Sequence, residues 1–147
     1  MTGNYQKINK NNFIDFCKNT IPLVKDFNVK INRFENSGLE VDFFPDEKRV
    51  GMIDRLWSHN LFTLADMVSY GCILCRYPTA IASVTINFNG NFFDAERVCN
   101  VRLSNTLEEY EKNYAHSTVD VKTFSNRIIA KLTCNYQIVL SEKSGSE

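Results

Sequence analysis

No charge imbalance marks this sequence. Among its 147 residues, 17 are Lys or Arg and 17 are Asp or Glu, so the formal net charge is zero. No run of like charges stands out. This excludes binding to nucleic acid or to an anionic membrane surface through bulk charge. No apolar run reaches the ~18 residues that a membrane-spanning helix needs. The first residues, "MTGNYQKINKNNF", are polar and Asn-rich and do not resemble a signal peptide. A paired set of cysteines is missing as well. The five present (Cys17, Cys72, Cys75, Cys99 and Cys134) are odd in number and scattered. Reduced thiols in a reducing compartment, the cytoplasm, are expected. Cys72 and Cys75 form a C-x-x-C, but no second pair or nearby His completes a zinc site. They read as packed helix cysteines, and no metal is expected. Internal repeats and linkers are also lacking. The chain reads as one domain over residues 1–147, long enough to bury roughly 70% of the surface its unfolded form would expose.

What is present is periodicity. In "NNFIDFCKNTIPLVKDF", Phe13, Phe16, Cys17 and Ile21 have helical spacing, with Asn11 or Asn12 as the cap and Pro22 as the stop. A first helix over about 10–21 is predicted. Phe27, Val29 and Ile31 then alternate with polar residues, and so do Leu39, Val41 and Phe43. "ENSG", Glu35 to Gly38, is the turn between them. A polar loop over 46–54 leads to "RLWSHNLFTLADMVSYGCILCR". Leu61, Leu64, Ala65, Val68, Cys72 and Cys75 form one helical stripe, with Ser58 as N-cap. Phe62, Asp66, Ser69 and Ile73 lie on the flank beside it. A helix apolar nearly all round is expected to be enclosed.

Strands follow. Ala82, Val84, Ile86 and Phe88 alternate with Ser83, Thr85 and Asn87. Cys99, Val101 and Leu103 continue, then Val119 and Val121. Ile128 to Ile138 is the longest clean period-2 run, preceded by the turn "FSNR". Asn89-Gly90 also reads as a tight hairpin. The tail, 141–147, is expected to be disordered. Helices segregated from a run of antiparallel strands predict an α+β domain.

That order, with "WSHNLFTLAD", "IASVTINF", "AERV" and "NRIIAKLTCNYQIV", resembles the hotdog-fold acyl-CoA thioesterase superfamily, in its phenylacetate-degradation-type branch. "SHNLFTLAD" is also similar to the malonyl-CoA-binding domain of a bacterial fatty-acid-synthesis repressor, which has an Asn in place of the acid. The resemblance implies an antiparallel sheet of five to six strands wrapped around one long central helix. It also implies a homodimer or dimer of dimers with the acyl site between protomers, and places Asp66 on the catalytic carboxylate. The family's His-Gly-Gly turn is here Trp57-Ser58-His59. The family's strand Ser or Thr falls near Ile81, with Ser83 two residues along on the same face.

An acid in an apolar helix is a stronger base than one in water, because desolvation disfavours its charge. Asp66 therefore suits a general base, or a nucleophile forming a transient anhydride. The backbone amide of His59, at the helix start, suits an oxyanion donor. Ser83 is the third candidate for the catalytic set. Substrate contacts are expected from Trp57, Ser58, Asn60, Phe62 and Ser69, and CoA phosphates from Arg49 and Arg55. The expected activity is hydrolysis of an acyl-CoA or acyl-carrier-protein thioester, with no cofactor beyond the CoA thioester itself. The alternative is a non-catalytic acyl-CoA- or malonyl-CoA-binding protein. The plain alternative for Asp66 is an acid held by a Ser, a Tyr or a backbone group, without chemistry.

Overall fold

The structure, a computed structural model, describes residues 8–35, 37–46, 58–77, 80–93 and 100–140, without the side chains of Ser58, Ile81 and Ala82. The elements run α1 (Phe13–Thr20), a 3-10 turn (Pro22–Val24), β1 (Val29–Glu35), β2 (Gly38–Phe43), α2 (Ser58–Arg76), β3 (Ala80–Phe92), β4 (Val101–Glu111), β5 (Tyr114–Thr123) and β6 (Ile128–Leu140). All six strands join one antiparallel sheet in the order β1-β2-β4-β5-β6-β3.

This order places α2. The chain leaves β2 near one margin and re-enters as β3 at the opposite margin, so the connection must cross the sheet. The 19 residues of α2 make a helix about 28 Å long. Six strands about 4.8 Å apart span about 24 Å. One helix can therefore cover the sheet from edge to edge, and α2 touches every strand. Leu61, Leu64, Ala65, Met67, Val68, Cys72 and Ile73 are buried against the inward residues of the strands, such as Leu39, Val41, Leu103, Val119, Leu132 and Tyr136. β5 shows why the pattern specifies a strand: its burial alternates without a break over ten residues.

α1 closes the other side of α2. The ring of Phe13 lies where a Cβ on Gly71 would stand, 2.3 Å from Phe13 Cζ and 2.8 Å from Leu39 Cδ2. Phe16 stacks on Tyr70 with centroids 6.2 Å apart. The cap differs from expectation. The side chain of Asn12 makes no cap bond. Asn9 Oδ1 instead accepts from the amides of Asn11 and Asn12, at 2.8 and 3.2 Å. The carbonyl of Asn9 accepts from the amide of Phe13.

Two turns behave as asparagine permits. Asn113, between β4 and β5, and Asn126, in the predicted "FSNR" turn, adopt φ of 66° and 69°. Asn89-Gly90 does not turn: β3 continues through it, with Asn89 opposite Thr133 and Gly90 opposite Leu132. The outer face of the sheet carries polar pairs. Arg102 donates from Nε and Nη2 to the two oxygens of Asp42, at 2.7 and 3.1 Å. His116 Nδ1 meets Asn135 Oδ1 at 2.9 Å, and Asn135 Nδ2 donates to Asn87 at 2.8 Å. Among the described residues no helix is long and apolar enough to cross a membrane.

Candidate active site

Phe62 fixes the orientation of the site. Its ring meets Phe88 and Phe92 of β3 at centroid distances of 5.1 and 5.6 Å. Residues four apart share a helix face, so Asp66 follows Phe62 along the side of α2 that faces β3. Its carboxylate reaches β6, where the Tyr136 hydroxyl donates to Asp66 Oδ1 at 2.7 Å. Tyr136 is 1% exposed and is flanked in the ladder by Ala115 of β5 and Thr85 of β3.

The enclosure expected for Asp66 is incomplete within one chain. Phe62 is half-buried and Asp66 is exposed. Burial among its neighbours still pushes the carboxyl pKa above the ordinary range, and the Tyr136 hydrogen bond pulls against that shift. Both observations describe a carboxyl bedded on an apolar wall on one side and open on the other. Ionised, it is a better proton acceptor than a fully hydrated aspartate.

β3 carries the second half of the site, and here the simple alternation misleads. Val84 and Ile86 are 51% and 50% exposed. Ser83 and Thr85 are instead opposite Ile138 and Tyr136, whose side chains are in the core. Cross-strand partners project to the same face, so Ser83 and Thr85 face α2. The register slips between Thr85 and Asn87, leaving Ile86 as an extra residue. Beyond the slip Phe88, Gly90 and Phe92 take the inward positions. The inner face of β3 thus has a hydroxyl half beside Asp66 and an aromatic half beside Phe62. Thr85, rather than Ser83, stands directly opposite Tyr136. At Gly90 the Phe62 ring occupies the space a side chain would take, 2.7 Å from an added Cβ.

Other predicted residues separate. His59 is exposed in the first turn of α2, where the helix dipole places positive partial charge on backbone amides. Asn60 is buried, 1% exposed, and so lines no open surface of this chain. Ser69 belongs to the core: its hydroxyl meets Ser117 Oγ at 2.7 Å, and Asn105 Nδ2 donates to the same Ser117 at 2.5 Å. The helix brings it to β5. Arg49, Arg55 and Trp57 lie outside the described residues, as do the "AERV" segment and Cys99. Tyr136 was missed. Its place in a period-2 run marks it as inward, and a buried tyrosine needs a partner for its hydroxyl. Which partner depends on a residue 70 positions away.

Cys17, Cys72, Cys75 and Cys134 are free thiols. Burial pushes Cys17, Cys72 and Cys134 up to about 12, so these stay protonated and unreactive near neutral pH. No cluster of three His, Cys, Asp or Glu that could hold a metal occurs among the described residues.

No family model matches the sequence, and no curated protein matches it. Solved structures do. A thioesterase from Haemophilus influenzae superposes with a TM-score of 0.81 at 14% identity, over 96% of this chain and 97% of that one. The chain has the hotdog fold. A hypothetical thioesterase from Streptococcus pneumoniae, solved with coenzyme A, matches with a TM-score of 0.71 at 15% identity, over 79% and 89% of the two chains. A Streptococcus mutans protein bound to acetyl-CoA gives 0.70 at 16%, over 79% and 92%. At such identities the likeness is one of architecture. In this hotdog sheet α2 is the central helix, and Asp66 stands on it facing the edge strand β3.

Proposed function

We propose that this protein hydrolyses the thioester of an acyl-CoA or an acyl-carrier protein, with Asp66 as general base. The observation that carries it is the carboxylate itself, half-bedded in apolar structure on the central helix of a fold shared with thioesterases. In this scheme the open oxygen of Asp66 takes a proton from water. The water oxygen bonds to the thioester carbon, and the C–S bond breaks as CoA or carrier thiolate leaves and is protonated. A first-turn amide of α2, that of His59, offers the oxyanion a donor at the positive end of the helix dipole. Carboxylate attack with a transient anhydride is the other route open to Asp66.

Asp66 follows His59 by seven positions, about 10 Å along one helix. That is a long span for one water and one carbonyl to bridge. A homodimer resolves this, with Asp66 of one protomer working beside the partner's His59. The 13-residue β3 stands at the sheet margin with Val84 and Ile86 exposed, and such an edge invites pairing. Joining two copies there would enclose Asp66, and two dimers could stack further. The free thiols support a reducing compartment such as the cytoplasm. One domain spans the chain in this reading.

The test is release of free thiol from a panel of acyl-CoAs. Asp66→Ala should lower kcat by about 10²- to 10⁴-fold. Unchanged turnover would remove Asp66 from the chemistry. The replacement of His-Gly-Gly by Trp57-Ser58-His59 favours a second reading, a non-catalytic acyl-CoA- or malonyl-CoA-binding protein. Calorimetric binding of CoA esters without hydrolysis would select it.

A further inference from the structure

We infer that Tyr136 is the positioning residue of Asp66, holding Oδ1 so that Oδ2 is the oxygen that receives the proton from water. This deepens the thioesterase proposal and rests on it for the catalytic part alone. The hydroxyl of Tyr136 donates to Oδ1 at 2.7 Å, and its ring is fixed. Tyr136 is 1% exposed, well inside the 13-residue β6, with neighbours on both sides of the ladder. Asp66 by contrast is on the exposed flank of α2. A free aspartate there would rotate, and either oxygen would meet solvent. One short bond from a locked ring removes that freedom and leaves a single oxygen pointing to the open side.

The direction of donation is settled by charge. An ionised carboxylate only accepts. Burial, the nearby Asp66 charge and the Cys134 thiol push the phenol pKa far up, so Tyr136 keeps its proton throughout the working range. The bond therefore favours the ionised form of Asp66 and opposes the desolvation that raises its pKa. Among the described residues, few other titratable groups face the carboxyl. On β6 there is Cys134, held neutral by burial. The segment β3 contains no titratable side chain. On α2 the nearest are His59, two turns back and exposed, and Tyr70, one turn on and itself raised by burial. The inner faces of β4 and β5 contribute Glu109, which is engaged by Tyr77.

Two readouts test this. In protein labelled with ¹³C-aspartate, the Asp66 carboxyl is titrated by NMR, assigned with Asp66→Asn. Tyr136→Phe should move its midpoint to higher pH, because the donor that favours the anion is gone. Incorporating 3-fluorotyrosine at position 136 makes a stronger donor and should move it to lower pH. In the pH profile of kcat/KM the acid limb should shift the same way in each variant. Tyr136→Phe should lose roughly ten- to hundredfold below that limb. A midpoint insensitive to both changes overturns the inference. If the midpoints move as stated but no acyl-CoA is hydrolysed, the positioning role stands and the thioesterase proposal falls.

Discussion

The ring of Phe62 lies on the backbone of Gly90, its Cζ 2.7 Å from where a Cβ at that position would stand. Phe62 is one helical turn before Asp66, so this contact sets the wall against which an acyl group at the carboxylate would rest. Gly90→Ala should displace the ring. The blocking atom is the far end of a half-buried side chain, so the cost in stability should be small, about 1 kcal/mol or less. The acyl-CoA preference should nevertheless change. Ratios of kcat/KM across short, long and aromatic acyl groups, beside urea midpoints, check both halves. An unchanged preference would separate Phe62 from the acyl site.

Gly71 is a different case. Added carbon there meets Phe13 on one side and Leu39 on the other, both fully buried. Neither can yield without opening the core. Gly71→Ala should cost about 1–3 kcal/mol, and Phe13→Ala about 3–5 kcal/mol. Combined with Phe13→Leu, the Gly71→Ala penalty should shrink, because the smaller side chain vacates the contested space. Urea denaturation of the four proteins of this cycle measures the coupling, and strict additivity would show that α1 does not dock on Gly71.

Asp42 supplies a pH-dependent part of stability. Burial raises its carboxyl, but the paired guanidinium of Arg102, the side chain of Asn32 and the charge of Lys30 together outweigh that and leave it below the ordinary range. An acid depressed in the folded chain adds stability above its unfolded value of about 3.9 and loses it as pH falls through the folded value. Asp42→Asn should be less stable than the parent at pH 7 by about 1–3 kcal/mol. The difference should narrow as pH is lowered below about 4. Urea midpoints at pH 7 and pH 3 decide it, and a gap equal at both would assign the effect to packing.

The edge of β3 should decide assembly. Val84→Lys with Ile86→Lys places two charges on the exposed stretch of the margin strand, the means by which sheet edges are kept apart. Both residues are half exposed in the single chain, so the monomer should fold with little change. Sedimentation should show a dimer becoming monomer, with hydrolysis falling in parallel. A variant that stays dimeric would move the interface elsewhere.

Local pattern by itself determined much of this protein. The period-2 run from Ile128 to Ile138 specified β6, Val119 and Val121 marked only the second half of β5, and the helical stripe from Leu61 to Cys72 specified α2. Both rest on which side of a regular backbone meets water, which neighbouring residues report. The lone acid at position 66 was equally visible, as was the turn at "FSNR". Tertiary structure alone decided the rest. Asn89-Gly90 read as a turn, but the glycine is there to admit Phe62, a residue from another element. Alternation alone grouped Val84 and Ile86 with Phe88, whereas pairing with Ile138 and Tyr136 puts Ser83 and Thr85 on the helix side, and the slip in register at Ile86 brings Phe88 inward while Val84 and Ile86 stay exposed. Ser69 shares the flank of Asp66 on paper, yet the seating of α2 brings it to Ser117 in the core. The bond from Tyr136 to Asp66 depends on the order of strands and the angle of the helix above them. Periodicity records how deeply a residue is buried. Its partners are set by register and topology, which no short stretch of chain contains.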